Sequence, residues 1–256
     1  MELGGKVVIV TGGTSGIGAG CSRYLATHGA RVVMASNQSE EGAALERELR
    51  ASGHEARFLA VDVTDEASVA ALVDGAMSAY GHLDAVHCNA GVWAQGKITE
   101  FDDTIWNKVM GVNVRGTFMM AKHAIPAMER SGGGVLVITT SVAVHVGFPQ
   151  HAVYCASKAA LDALIRCLAV DHAGVIRVVG VSPGTIDTPM LAATCAGWDK
   201  PVEELYAEVA EKIPVRRLGQ PDDIARAVAF LLSDDASYIN ATTLTLDGGT
   251  MALPPW

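Results

Sequence analysis

The stretch Val7-Val8-Ile9-Val10-Thr11-Gly12-Gly13-Thr14-Ser15-Gly16-Ile17-Gly18 decides how the rest of the chain reads. Its first four residues are apolar and β-branched without a break, the pattern of a strand buried on both faces. A glycine-rich turn follows, and a helical pattern runs over Gly18–His28. Strand, glycine turn and helix together make an anion site. The glycines let the backbone come close, and the free N–H groups and positive dipole end of the helix face the charge. Three glycine spacings compete. A P-loop needs Lys and then Ser or Thr after its last glycine; Gly13 and Gly18 have the interval, but Ala19 and Gly20 follow. The pattern G-x-G-x-x-G/A would end on Cys21. What fits is T-G-x-x-x-G-x-G through Thr11, Gly12, Gly16 and Gly18, with Thr14, Ser15 and Ile17 between. The turn reads as a pyrophosphate site, against the competing reading of a simple strand-to-helix link.

Outward from this turn, short apolar runs alternate with helical patterns. Strands are expected at Arg31–Ala35, Ala56–Val61, Ala85–Cys88, Val135–Thr140, Arg177–Val181 and Thr242–Leu246, with helices near 40–50, 65–80, 103–130, 152–172 and 221–232. This rhythm predicts an α/β fold: one doubly wound, Rossmann-type parallel sheet of seven strands with helices on both faces. No linker or repeat divides it, so residues 1–256 read as a single domain. The only departure is 190–213, an insertion holding Trp198, Pro201 and an amphipathic piece, read as a substrate lid or a capping helix.

The chain has 256 residues, half of them hydrophobic, with 19 Lys plus Arg against 28 Asp plus Glu, a net charge of −9. That balance, without a basic block, argues against nucleic acid or an anionic membrane as partner. No signal peptide or membrane span fits, and a cytoplasmic protein is expected. The five Cys contain no C-x-x-C and read as reduced thiols packed as small hydrophobes. The eight His show no metal-ligand spacing, so no metal is expected. The helix from Tyr154 to Asp171 is apolar almost all round, which points to a second subunit against it and a homo-oligomer; a helix buried within a monomer is the competing reading.

The end of the second strand reads Ser36-Asn37-Gln38-Ser39. An acidic residue there would hold a ribose diol and repel a 2′-phosphate, while an Arg would hold the phosphate. Neither is present, so the pattern leans towards NADP(H) and leaves NAD(H) open. Tyr154 and Lys158 stand at i and i+4, on one face of a helix. An ammonium beside a phenol favours the phenolate, and such a pair can exchange a proton with an alcohol or carbonyl oxygen as hydride moves. A surface pair one turn apart is the competing reading. Ser141 follows a strong parallel strand, at the edge where ligands of open α/β sheets bind. It carries no G-x-S-x-G elbow and so reads as a substrate-orienting hydroxyl rather than a nucleophile.

At this point the residues resemble the short-chain dehydrogenase/reductases in their compact form, over essentially the whole chain. The resemblance rests on T-G-x-x-x-G-x-G at 11–18, Asp62-Val63, Asn89-Ala90-Gly91, Asn113 and Ser141. It continues through Tyr154-x-x-x-Lys158, Pro183-Gly184-Thr185-Ile186-Asp187-Thr188 and Leu246-Asp247-Gly248-Gly249. It implies an NAD(P)-dependent oxidoreductase interconverting a secondary alcohol and a ketone. It implies Tyr154 as general acid/base, Lys158 lowering its pKa and binding the nicotinamide ribose, Ser141 orienting the substrate oxygen, and Asn113 holding a water beside Lys158. It places Asp62 and Val63 at the adenine, Asn89 to Gly91 along the coenzyme cleft, and Ile186 and Thr188, after Pro183, at the nicotinamide carboxamide.

Some residues depart from the family pattern. Cys88 stands for a first Asn, where its neighbours keep the turn; Val179 replaces an Asn and the loop at Gly174 is one residue short, both away from the expected chemistry. The Tyr–Lys gap disfavours the enoyl-reductase branch. Trp93, Val142 and Phe148 are expected to line a pocket for a small neutral or apolar alcohol or ketone. Two alternatives remain open at this stage. One is a silent coenzyme-binding sensor or scaffold, and the other is a 3-oxoacyl-carrier reductase, which would want a basic docking patch.

Overall fold

Val7, Val8, Ile9 and Val10 are all fully buried, because the strand they form is covered on both faces. The computed structural model describes residues 3–195 and 200–253; Trp198 lies outside the described residues. Side chains of β1 (Val7–Thr11) alternate. Val8 and Val10 pack with helices α1 (Gly16–Thr27), α2 (Ser39–Ala51) and α9 (Pro221–Leu232). Val7 and Ile9 pack with α3 (Glu66–Tyr80), α5 (Gly116–Arg130) and α6 (Ala152–Asp171).

The remaining strands are β2 (Arg31–Ser36), β3 (Ala56–Ala60), β4 (Ala85–Cys88), β5 (Gly134–Thr139), β6 (Ile176–Pro183) and β7 (Thr243–Leu246). They form one seven-stranded sheet in the order β3-β2-β1-β4-β5-β6-β7, with every neighbouring pair parallel. The chain winds one way from β1 to β3 and the other way from β4 to β7. The crevice at that reversal, outside the carboxyl ends of β1 and β4, is where such sheets bind ligands.

Local signals set the element ends. The Asp65 carboxylate accepts from the Ala67 N–H at the start of α3, and Gly81, at φ 80°, ends that helix in the left-handed region. Pro221 opens α9, flanked by Gln220 and Asp223 in a reciprocal capping box.

Two expectations, the single helix over 103–130 and the buried thiols, need correction. The helix expected over 103–130 is two helices, α4 (Asp103–Met110) and α5, joined by a π-type turn at Gly111–Arg115. Gly111 and Gly116 bracket that turn, and Gly116 lies so close to Val63 that a Cβ would stand 3.0 Å from it. The insertion at 190–213 holds α7 (Pro189–Cys195) and α8 (Val202–Lys212), the latter anchored by buried Leu205. Of the five thiols only Cys21 and Cys88 are buried; Cys155 and Cys195 are half-buried and Cys167 is exposed on α6.

Candidate active site

A cavity of about 610 Å³ runs along the carboxyl ends of the strands, from the glycine turn after β1 to the first turns of α6. Its described lining contains two charged side chains, Asp62 and Lys158.

Gly12, Ser15, Gly16 and Ile17 form one end. Gly12 and Gly16 have φ of 61° and 50°, the region that glycine enters without strain. Ser15 precedes α1 in extended conformation with no side-chain capping bond, so its hydroxyl and the first N–H groups of α1 are available to an anion. Gly18 does not line the cavity. A Cβ there would stand 2.0 Å from the Gly12 carbonyl oxygen and 2.7 Å from Asn89 Nδ2, so its absence closes helix onto turn. Thr14 also turns away: it is buried, and its hydroxyl donates to Gln38 Oε1 at 3.1 Å. Thr188 stands against the other side of the turn, with its Cγ2 3.4 Å from where a Gly16 Cβ would be.

Ser36 and Asn37 at the end of β2, with Asp62 and Val63 after β3, line the cavity beside the glycine turn. Ser36 Oγ accepts from the Gln38 N–H at 3.1 Å. Asp62 Oδ1 accepts from the Thr64 hydroxyl at 2.7 Å and the Thr64 N–H at 2.8 Å, which together hold its carboxyl below the usual range. Asn89, Ala90 and Gly91 run along the floor, where Asn89 Nδ2 donates to the Thr11 carbonyl at 3.2 Å.

At the far end stand Ser141, Tyr154 and Lys158, with Trp93, Val142 and Phe148 around them and Pro183 and Ile186 beside them. Lys158 is buried and its Nζ donates to the Thr139 carbonyl at 2.8 Å. Burial pushes its ammonium down to about 8. The same Nζ lies 5.8 Å from the Tyr154 ring centroid, so the i, i+4 pair does share a face. Burial pushes the Tyr154 phenol up, while its hydrogen bond with Ser141 pulls the other way. In the structure, therefore, the group acting directly on the phenol is Ser141. Asn113 is fully buried behind this cluster, in the π-type turn, and does not line the cavity. Its Nδ2 donates to the Val92 carbonyl and to Ser157 Oγ, both at 2.9 Å, and its Oδ1 accepts from the Val92 N–H at 2.8 Å. One-residue π insertions of this kind recur at functional sites.

A glycine cradle closed on backbone at one end and a phenol, hydroxyl and buried ammonium at the other match the residues a nicotinamide dinucleotide needs. A family model described as "Enoyl-(Acyl carrier protein) reductase" matches residues 12–251. The chain is 39% identical over 251 residues to cis-4-hydroxycyclohexanecarboxylate dehydrogenase of Sinomonas cyclohexanicum, covering 97% of each.

The chain belongs to the short-chain dehydrogenase/reductase family. It is an oxidoreductase of the kind that interconverts alcohols and ketones with NAD(P). Levodione reductase superposes with a TM-score of 0.94 at 33% identity, covering 99% of this chain and 100% of that one. A polyketide ketoreductase solved with NADPH superposes at 0.92 (32% identical; 96% of this chain, 97% of that). A 7α-hydroxysteroid dehydrogenase solved with NADH superposes at 0.90 (33% identical; 97% and 95%).

Several site residues escaped the sequence reading. Thr139, which ends β5, and Thr140 after it are in the cavity lining. Within 190–213, the segment read as a lid or capping helix, Met190, Leu191 and Thr194 bring α7 to the cavity. His87 is fully buried in β4, where its Nε2 lies 2.8 Å from Thr139 Oγ1 and burial holds the imidazole neutral, down to about 3. His151 lines the substrate end; its place three residues before Tyr154, one helical turn, was the signal that could have found it.

Proposed function

We propose that Tyr154 is the general acid/base of a reversible ketone reduction, and that Ser141, Lys158 and Asn113 make it one. The observation that carries this is the convergence of Ser141, Tyr154 and Lys158 at one end of a cavity whose other end is the glycine turn. The bound coenzyme supplies or accepts the hydride. Tyr154 passes its proton to the substrate oxygen, or takes one from it. The Ser141 hydroxyl holds that same oxygen and offsets the burial that raises the phenol, and the ammonium of Lys158, 5.8 Å from the ring centroid, favours the phenolate. Lys158 also reaches the nicotinamide ribose, and Asn113 fixes Val92 and Ser157 beside it and holds the water next to Lys158. Gly12, Ser15, Gly16 and Ile17 take the pyrophosphate, Gly18 and Thr14 shape that turn from behind, and Asp62 and Val63 border the adenine. Asn89 to Gly91, Pro183, Ile186 and Thr188 flank the nicotinamide half.

The coenzyme reading favours NADP(H). Ser36, Asn37 and Gln38 are neutral, so nothing at the end of β2 repels a 2′-phosphate, and Asp62 is committed to Thr64. The substrate is a small neutral or apolar alcohol or ketone, enclosed by Trp93, Val142 and Phe148 with α7 and α8 as lid. The named activity of the Sinomonas relative, on a ring-borne hydroxyl, supports a cyclic one. An acyl-carrier substrate fits less well, because a net charge of −9 provides no general attraction for an acidic carrier.

The chain forms a homo-oligomer, a dimer or tetramer. Ala156, Ala159, Ala163, Cys167 and Val170 make an exposed stripe along α6, next to exposed Trp106 and Phe118 on α4 and α5. It works in the cytoplasm: the described residues contain no helix long and apolar enough to cross a membrane, and the five thiols are free.

The test is a parallel fluorescence titration with NADPH and NADH, followed by turnover of a ketone and alcohol panel by wild type and Tyr154→Phe. The variant should bind coenzyme as the wild type does and lose about 10³-fold or more in kcat. Full turnover by Tyr154→Phe would defeat the mechanism.

A further inference from the structure

The substrate end of the cavity holds a polar side chain that the proton transfer leaves unused. His151 lines the same cavity as Ser141 and Tyr154, immediately before α6, yet its side chain makes no capping bond to that helix. Its ring is held from several sides. Nδ1 lies 2.6 Å from the Pro149 carbonyl, which can only accept, so Nδ1 carries the proton and donates. The ring stacks on Trp93 at 5.8 Å between centroids and 23° between planes, and meets Phe148 edge-on at 6.4 Å. The preceding residue, Gln150, sits at φ 64°, a left-handed conformation unusual for a residue with a side chain. That conformation is tied down by the Gly96 N–H donating to the Gln150 carbonyl at 2.9 Å, which joins the loop carrying Trp93 to the loop carrying His151. Backbone held off its preferred region beside a catalytic cluster is typical of a placed functional group.

With Nδ1 spent on Pro149, Nε2 is the nitrogen left for the cavity, and in the neutral ring it is an acceptor. No carboxylate lines this end among the described residues; Asp62, the acidic group of the lining, is at the adenosine end and bonded to Thr64. We propose that His151 Nε2 accepts a hydrogen bond from a hydroxyl on the substrate, and that the substrate is a hydroxylated cyclic ketone or its diol product, stacked along Trp93 and Phe148. This rests on the oxidoreductase reading above. Ser141 and Tyr154 take the reacting oxygen. His151, the residue before α6, lines the same end of the cavity as Ser141 and Tyr154, so a ring whose carbonyl meets those two can present a substituent on its opposite side to the imidazole.

The experiment compares wild type, His151→Phe and His151→Gln, loaded with the coenzyme bound more tightly. The substrates are 4-hydroxycyclohexanone, 4-methylcyclohexanone, 4-oxocyclohexanecarboxylate and the open-chain 2-heptanone. Wild type should favour the hydroxy ketone over the methyl ketone by about tenfold in kcat/KM, the scale of one hydrogen bond to substrate. His151→Phe keeps an aromatic face and should lose about tenfold on the hydroxy ketone while staying within about twofold on the methyl ketone, with coenzyme affinity unchanged. His151→Gln, which retains an acceptor, should keep part of the preference. Equal losses on both ring ketones, a wild-type preference for the carboxylate, or turnover of 2-heptanone alone would overturn the inference and leave the oxidoreductase reading standing. Absence of turnover on every ketone, with coenzyme bound, would overturn both.

Discussion

The two ends of the cavity are built differently. The coenzyme end is made by strand termini and a glycine turn, with Gly18 pressed onto the Gly12 carbonyl and Asn89 bonded to the Thr11 carbonyl. The substrate end is made by loops and short helices, where Phe148 and Met190 remain 44% and 38% exposed. Backbone packed on backbone tolerates almost no change of volume, whereas a rim of exposed side chains on loops can change without disturbing the sheet. On the proposed reading, one end serves a coenzyme that does not vary, and the other is free to choose a substrate.

The largest expected effect tests how far the rigid end is set by burial. The folded chain keeps His87 neutral down to about pH 3, while the unfolded chain takes up the proton from about 6.5. Between those values the unfolded state binds more protons, so folding stability falls as pH falls. The full loss from this group is about 5 kcal/mol by pH 3, at 1.36 kcal/mol per pKa unit. His87→Val should remove that part of the acid sensitivity, read as a flatter dependence of the urea midpoint on pH between 6.5 and 3. Parallel curves for wild type and variant would show that the strand is not dry at His87.

Next in size is Gly18→Ala. Its new methyl has only backbone and Asn89 to meet, so a cost of at least about 3 kcal/mol is expected, together with loss of coenzyme binding. Differential scanning calorimetry and coenzyme titration check it; a variant that melts and binds like wild type would break the contrast drawn above. The smallest effect belongs to the other end. Burial and, after it, the Asp187 carboxylate just before Thr188 push the Tyr206 phenol of α8 up. Tyr206→Phe should raise the KM for substrate a few-fold, about 1 kcal/mol or less, and leave the melting temperature where it is. A fall in melting temperature matching that of Gly18→Ala would mean that α8 is as integral as α1.

Legibility in the sequence divides along the same line. The strand at Ala85–Cys88 and the helix at 221–232 stand where the patterns put them, because a short run bounded by turn residues and the Pro221 start are local signals. Tyr154, Lys158 and Ser141 were readable because helix spacing and strand ends are fixed geometry. The π-type turn at Gly111–Arg115 was not readable, since one extra residue hardly disturbs a 3.6-residue period over 103–130. Thr14 turns away through a bond to Gln38, 24 residues on, and no local pattern encodes that. Cys167 faces outward although its neighbours are apolar, because a helix apolar all round does not announce which side is covered. The stack of His151 on Trp93 depends on two loops meeting through Gly96 and Gln150, a long-range event.

Thr139 belongs to both ends. Its carbonyl receives the Lys158 ammonium, and its hydroxyl touches His87 at 2.8 Å and Asn89 at 3.4 Å. That residue is a seam in any recombined molecule. A crossover placed before Thr139 parts it from His87 and Asn89, one placed after Thr140 parts it from Lys158, and either cut leaves the residue with half of its partners from another parent.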